Sequence, residues 1–140
     1  MKARVLSAMV LATAISAFAA AGDFKVIVNT ANSSTKISKS DLNALFLKKM
    51  AKWSDGIPTA PVNQSKKTAV RDNFTSTVHG KTVAAIDSYW QQQIFSGRDV
   101  PPPEKGSDAD VVAFVKANAG AVGYVSDGAA TAGVKVVGVE

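Results

Sequence analysis

Residues 107–125 read SDADVVAFVKANAGAVGYV and decide the class of fold. Ser107, followed three residues later by Asp110, resembles a capping box, and the apolar residues after it have the spacing of one helix face. Gly120 helps to end that helix. The apolar run at 121–125 then predicts a short buried strand. A helix that leads into a buried strand is typical of an α/β domain.

Strand and helix patterns alternate through the rest of the chain in the same way. The predicted order is β-α-β-α-α-α-β-β, which indicates a small central sheet with helices packed on it. In the third helix, Ile86, Tyr89, Trp90 and Phe95 are expected to pack in the core. The predicted elements are strands at 24–28, 58–62, 121–125 and 134–139, and helices that begin near residues 39, 69, 83 and 108.

Composition limits the chemistry available to the chain. It has 140 residues, no cysteine and one histidine, His79. Disulfides, thiolate nucleophiles, cysteine-ligated metals and multi-histidine zinc sites are therefore excluded. No cofactor, metal site or catalytic residue is predicted, and the protein is not expected to be an enzyme. His79 precedes a glycine at a predicted helix end, where a cation would be favourable.

The first residues have the layout of a secretory signal peptide. Lys2 and Arg4 precede an apolar run, Val5–Phe18, and small residues suited to cleavage follow it. That run is shorter than the roughly 20 residues that span a bilayer, so a retained anchor is the less favoured alternative. We expect a signal peptide at 1–21, a single domain at 22–140 and a periplasmic location. Loss of Lys2 and Arg4 lowers the formal net charge from +5 to +3.

Eight short segments spread over residues 24–139 carry a resemblance to a known family. They are ISKSDL at 37–42, LFL at 45–47, KW at 52–53, YW at 89–90, IFSG at 94–97, PP at 101–102, SDADVV at 107–112 and GAVGYV at 120–125. Together they resemble the phosphate-binding-protein-like periplasmic substrate-binding proteins, and in particular the short members labelled phosphate ABC transporter substrate-binding proteins. The resemblance implies one lobe of a type II periplasmic-binding-protein-like fold. It also implies a small oxyanion ligand, phosphate in this family, and a link to ABC-type phosphate uptake.

Two polar loops are the candidates for the anion site, because free N–H groups at helix N-termini attract anions. The first loop, at 29–35, is predicted to feed the first helix, and the second, at 63–68, to feed the second helix. In the resembled family, the second loop carries an arginine ahead of a Ser-Gly-Ser-Gly-Thr run. Here Lys66 and Lys67 stand near the glycine positions. The candidate ligand-binding residues are Thr30, Ser33, Ser34, Gln64, Ser65, Lys66, Lys67, Thr68 and Arg71.

A second interpretation remains open. Ser65 or Thr68 could be an ordinary helix cap, and Lys66 with Lys67 a solvated pair. The chain would then be a ligand-free protein-interaction module of the bacterial envelope that keeps the fold but not the anion site. The candidate protein partners are an ABC permease, another envelope protein and a second copy of the chain. Scattered positive charge disfavours nucleic acid, and no stable membrane insertion is expected after signal cleavage.

Overall fold

The computed structural model describes residues 24–140, so the predicted signal peptide lies outside the described residues. The elements, in chain order, are β1 (Phe24–Val28), β2 (Lys36–Ile37), α1 (Lys39–Phe46), β3 (Ala60–Pro61), β4 (Asn63–Gln64), α2 (Ala69–Phe74), a π-helical segment (Thr75–His79), α3 (Val83–Phe95), β5 (Glu104–Lys105), α4 (Asp108–Ala117), β6 (Ala121–Ser126) and β7 (Lys135–Val139). The predicted order is recovered, with three two-residue strands and the π-helical segment added to it.

Within residues 24–140, five strands form a mixed sheet in the order β2-β7-β1-β6-β3. The central strand β1 is antiparallel to both neighbours, and Val26 faces Tyr124 on β6 and Val137 on β7. β3 runs parallel to β6. β4 and β5 form a separate parallel pair beyond β3. The loop after β4 therefore lies at the C-terminal end of β6.

Each face of the sheet covers its own apolar core, because successive strand side chains point to opposite faces. On one face, Val26 packs with side chains from α1, α2 and the π-helical segment. There the rings of Phe74 and Tyr124 are stacked, with centroids 3.8 Å apart. On the other face, Ile27 and Val125 pack against Val111 and other residues of α4. Helices cover both faces, which confirms the predicted α/β architecture.

Three helices begin at the residues that the sequence predicts. Ser38, Thr82 and Ser107 are the N-caps of α1, α3 and α4, and each hydroxyl oxygen accepts a backbone N–H three residues later. This bond satisfies one of the N–H groups that a helix N-terminus leaves unpaired. The predicted helix starts near residues 39, 83 and 108 are therefore confirmed.

The prediction that Phe95 packs in the core is wrong. Ile86 and Trp90 lie four residues apart on one face of α3 and are buried. Phe95 lies about 140° around the helix axis from Trp90, at 100° per residue. Its side chain is 93% exposed. Only the face of α3 that carries Ile86 and Trp90 therefore packs against the rest of the protein.

Candidate functional site

A tight turn follows β4 and connects it to α2; we call residues 64–68 the 64–68 loop. The Ser65 N–H donates to the Lys105 carbonyl on β5 at 2.8 Å, which ties the loop to the neighbouring strand. The Thr68 N–H and hydroxyl both donate to the Ser65 carbonyl, at 3.1 and 2.9 Å. Thr68 is the N-cap residue of α2, but its side chain makes no capping bond. These hydrogen bonds fix the backbone conformation of the 64–68 loop.

The two lysines of the 64–68 loop differ in their surroundings. Lys66 Nζ lies 2.7 Å from a carboxylate oxygen of Asp87 on α3. Lys67 is exposed, and among residues 24–140 no carboxylate lies within ion-pair distance of its ammonium group. Lys67 is therefore the cation of this loop that is available to a ligand.

Gln64 and Arg71, two of the predicted ligand-binding residues, are buried and hold the 64–68 loop in place through hydrogen bonds. Arg71 is only 3% exposed, and one guanidinium nitrogen donates to the Gln64 carbonyl at 2.8 Å and to a Glu104 carboxylate oxygen at 3.0 Å. Gln64 is 1% exposed, and its side-chain amide donates to Asp108 and to the Tyr124 carbonyl. Neither side chain is available at the surface in this arrangement.

A buried hydrogen-bond network that the sequence did not reveal positions the start of the loop. The Tyr124 hydroxyl donates to the Asn63 side chain at 2.7 Å and accepts from the Gln64 N–H at 3.2 Å. Burial raises the pKa of the Tyr124 phenol, so it remains a protonated donor. The only available sequence signal was the presence of polar residues, Asn63 and Gln64, directly beside an apolar strand.

Asp108 closes this network at the first residue of α4. Burial disfavours its ionised form, but hydrogen bonds from the Gln64 side chain and from Ser126 outweigh that effect, and the pKa of Asp108 lies below its usual value. The carboxylate also sits at a helix N-terminus, where negative charge is favourable. Asp108 therefore favours the start of α4 and also orients the Gln64 side chain.

The 29–35 loop is built differently from its prediction. It does not feed α1 directly, because β2 lies between them and Ser38 caps the helix. Thr30, Ser33 and Ser34 are therefore not at a helix N-terminus, and the dipole argument does not apply to them. The loop is shaped by its asparagines: the Asn29 side-chain amide donates to the Val115 carbonyl at 2.9 Å, near the C-terminus of α4.

The two candidate loops lie at opposite ends of α4. The 64–68 loop meets the N-terminus of α4 through Gln64 and Asp108, and the 29–35 loop meets the C-terminus through Asn29 and Val115. The ten residues of α4 span about 15 Å. One small anion cannot contact both loops, so the structure brings together only the residues of the second loop.

His79 does not act as the expected helix-end cation. Its Nδ1 atom lies 2.7 Å from Asn43 Oδ1, and its ring contacts the edge of Phe74. Burial, and then the positive charges of Arg71 and Lys81, lower the pKa of His79 to about 4. The imidazole is therefore neutral at neutral pH.

Among residues 24–140, no group of three or more His, Asp or Glu side chains is placed to hold a metal ion. In the same range, no helix combines the length and apolar character needed to cross a bilayer.

No known family profile matches the sequence, and no curated protein matches it. Solved structures do match in fold. An ABC-type phosphate transport receptor from Vibrio cholerae superposes with a TM-score of 0.67 at 18% identity, over 84% of this chain and 46% of that one. A putative phosphate ABC transporter substrate-binding protein with bound phosphate, from Clostridium perfringens, gives 0.67 at 17% identity, over 84% and 44%. A possible phosphate-binding protein from Planctomyces limnophilus gives 0.63 at 19% identity, over 84% and 41%.

These likenesses confirm the fold that the sequence resemblance implied. The chain spans less than half the length of each of these proteins. At this level of identity the comparison concerns the fold, and the ligand and partners of the longer proteins are not thereby assigned to this chain. The chain therefore has the fold of one part, a little under half, of a phosphate ABC transporter substrate-binding protein.

Proposed function

We propose that the chain is an exported, periplasmic solute-binding-like protein that recognises a small oxyanion, phosphate, at the 64–68 loop. The observation that carries this proposal is the exposed ammonium group of Lys67 at the start of α2, which has no carboxylate partner among residues 24–140. The fold shared with proteins described as phosphate receptors supports the choice of ligand.

The chemistry of the loop suits an anion. The first N–H groups of a helix have no intrahelical partner and point outward, toward a ligand at the N-terminus. α2 continues without a break into the π-helical segment, so helical peptide dipoles align over residues 69–79. Ser65 and Thr68 are half-buried beside this terminus. The Thr68 hydroxyl already donates to the Ser65 carbonyl, whereas the Ser65 hydroxyl oxygen accepts from the Lys67 N–H and keeps its own proton for an anion.

Affinity from this loop alone is expected to be weak. Without glycine, the backbone of the 64–68 loop cannot approach an anion as closely as the family's loop does. Lysine attracts phosphate as a point charge, without the two-pronged geometry of arginine. We expect binding on the order of millimolar Kd, about −4 kcal/mol. A second copy of the chain or an envelope protein would supply the other wall of a cleft, and an ABC permease is a further proposed partner.

Export is part of the same proposal. Residues 1–21 are proposed to be a cleaved signal peptide and residues 22–140 the single mature domain. Expression in a bacterial host that processes such signals, followed by intact-mass measurement of the periplasmic protein, tests this step. A mass that corresponds to a chain beginning near Ala20 or Gly22 supports export with cleavage. A full-length mass confined to the cytoplasm or membrane contradicts it.

A thermal-shift series on the exported protein tests the ligand. Phosphate, sulfate and chloride are compared at matched ionic strength, because a ligand that binds only the folded state raises Tm by mass action. At ten times its Kd, phosphate would add about 1.4 kcal/mol of stability. For a domain of this size, that corresponds to a rise of roughly 5 °C.

Two lysine variants separate a site from general charge effects. Lys67→Ala removes the available cation of the 64–68 loop and should abolish the phosphate-dependent rise. Lys52→Ala is the matched control, because Lys52 is also exposed but precedes β3, at the other end of the sheet. A rise that phosphate and sulfate produce equally in both variants would contradict the proposed site.

The alternative, a ligand-free interaction module, is favoured by one observation. In five of the six predicted binding residues in this region, the side chain already has a partner within the chain; these are Gln64, Ser65, Lys66, Thr68 and Arg71. Under this alternative no anion raises Tm, while the protein remains folded and cooperative. A flat response in the thermal-shift series would therefore favour the alternative over anion recognition.

A further inference from the structure

An apolar tip projects from the end of α3. We define it as Ile94, Phe95 and Val100, whose side chains are 52%, 93% and 58% exposed. Ile94 and Val100 line one shallow depression together with Gly97, Arg98 and Asp99, and Phe95 directly follows Ile94 at the end of the helix. Scattered exposed apolar residues are ordinary, but three clustered on one projection mark an interaction surface.

The shape of the tip is fixed by the backbone. Gly97 adopts a left-handed φ of 66°. Its N–H donates to the Ile94 carbonyl at 3.1 Å, and the Arg98 N–H donates to the Gln93 carbonyl at 3.0 Å. This pair of bonds is the Schellman arrangement that ends helices. The exposure of Phe95 therefore belongs to an ordered helix end.

The tip stands away from the body of the protein. Trp90 is the last buried residue of α3, and the helix continues for more than one further turn, to Phe95. Among residues 24–140, no element makes an extensive contact with α3. The three apolar side chains of the tip are thus exposed at the end of a helix that has few neighbours.

Cations surround the tip. Arg98 lies within it and is exposed. Lys48, just after α1, reaches Asp99 at 3.7 Å. The Lys49 ammonium group lies 5.9 Å from the centre of the ring of Tyr89, which is on the same helix as the tip, five residues before Ile94. Because Lys48 and Asp99 offset each other, the net positive charge near the tip comes from Arg98 and from Lys49.

We propose that the apolar tip docks on an anionic phospholipid surface. Apolar side chains enter the boundary between head groups and acyl chains, and flanking Lys and Arg groups bind anionic head groups. A lipid surface needs no complementary pocket, which suits a few exposed apolar side chains. A standard protein interface uses roughly 20 to 30 residues a side, whereas the segment 94–100 that carries the tip has seven residues. The attachment is peripheral and independent of the anion site.

Vesicle co-sedimentation of the exported protein tests this inference. Its N-terminus is identified by mass, so that the apolar run at 5–18 is known to be absent from the sample. The probes are vesicles of phosphatidylglycerol with phosphatidylcholine, and vesicles of phosphatidylcholine alone. We expect binding to the anionic vesicles that weakens as salt is raised, since exposed charges are screened, and little binding to the neutral ones.

Variants assign the binding to the tip. Phe95→Ser should weaken binding to anionic vesicles by about tenfold or more, the value of one buried aromatic side chain, while Tm is unchanged because the side chain is exposed. Arg98→Gln should reduce the salt dependence. Val136→Ser is the matched control, because Val136 is an exposed apolar residue on β7; its binding should equal that of the unmodified protein.

Three results would overturn the inference. They are the absence of binding to anionic vesicles, equal binding by the Phe95→Ser variant, and equal binding to neutral vesicles at all salt concentrations. If pure lipid vesicles fail but native envelope membranes bind until they are treated with protease, the partner of the tip is a protein and the lipid proposal is wrong.

Discussion

Replacement of Gly123 by alanine tests the contact between β6 and α4. A Cβ atom built on Gly123 would lie 2.7 Å from a methyl group of Val111 and 3.3 Å from one of Val115, both on α4. On the same side it would lie 2.9 Å from a methyl group of Val62. Favourable carbon–carbon contacts are about 3.5 to 4.0 Å, so the new methyl group would overlap two neighbours by close to 1 Å.

The magnitude follows from two opposing effects. Overpacking of a closely packed core costs about 1 to 3 kcal/mol. The same substitution reduces the conformational freedom of the unfolded chain, which stabilises the protein by about 0.4 to 1 kcal/mol. We therefore expect Gly123→Ala to lower the free energy of unfolding by about 1 to 2 kcal/mol, which corresponds to roughly 4 to 8 °C in Tm.

Urea denaturation of matched variants measures this effect. Gly128→Ala is the control, because a Cβ at Gly128 meets nothing within 4 Å and the backbone there has no positive φ. Gly128→Ala changes only the conformational freedom of the unfolded chain. The difference in the free energy of unfolding between the two variants therefore measures the cost of the steric overlap at Gly123, about 2 kcal/mol. Addition of Val111→Ala to the Gly123→Ala variant should cost less than the sum of the single changes. Equal stability of the Gly123→Ala and Gly128→Ala variants would refute the close approach of helix and strand.

Three further predictions concern single side chains. Tyr124→Phe leaves the buried Asn63 oxygen and Gln64 N–H without the hydroxyl that joins them, and should cost about 1 to 3 kcal/mol in urea denaturation. His79 has a folded-state pKa of about 4, below its ordinary value of 6.5. As pH falls through this interval, the unfolded chain gains a proton first and stability decreases. His79→Gln should therefore flatten the Tm–pH profile there and leave Tm near pH 7 equal to that of the unmodified protein. Ser107→Ala removes the N-cap of α4 and should lower the free energy of unfolding by about 0.5 to 2 kcal/mol. The helical circular dichroism signal should then be lost at a lower temperature than in the unmodified protein.

Local patterns predicted much of the fold. The N-caps Ser38, Thr82 and Ser107 act on backbone groups three residues away, so neighbouring sequence contains everything needed to identify them. The strands at β1, β6 and β7 were likewise readable, because their apolar runs are continuous. The strands β2, β4 and β5 were not predicted, since two residues have no periodicity and become a strand only beside a partner.

Helix ends were predicted less well than helix starts. The first helix, for which the sequence predicted a start but no end, ends at Phe46, and Lys48 just beyond it has a left-handed φ of 56°. Phe95 was assigned to the core because it shares a helix with Trp90. Whether a helix face is covered depends on what lies beside it, and beside the end of α3 the described chain provides little.

The candidate site shows the same division. Residue types and spacing identified the 64–68 loop as polar, basic and adjacent to a helix start, and that description stands. The exposed Lys67 and the buried Arg71 are both cations in the same short stretch, and nothing local distinguishes them. Arg71 is buried because Glu104, 33 residues away, accepts its hydrogen bond.

By itself, the sequence determined the class of fold, the helix starts and the chemistry that the chain lacks, because these depend on composition and on residues a few positions apart. The tertiary structure decided which polar groups face solvent and which loops are neighbours. Gln64 meets Asp108 across 44 residues, and α4 separates two loops that had looked equivalent. Burial and charge pairing arise from contacts between distant segments, and only the folded chain brings those segments together.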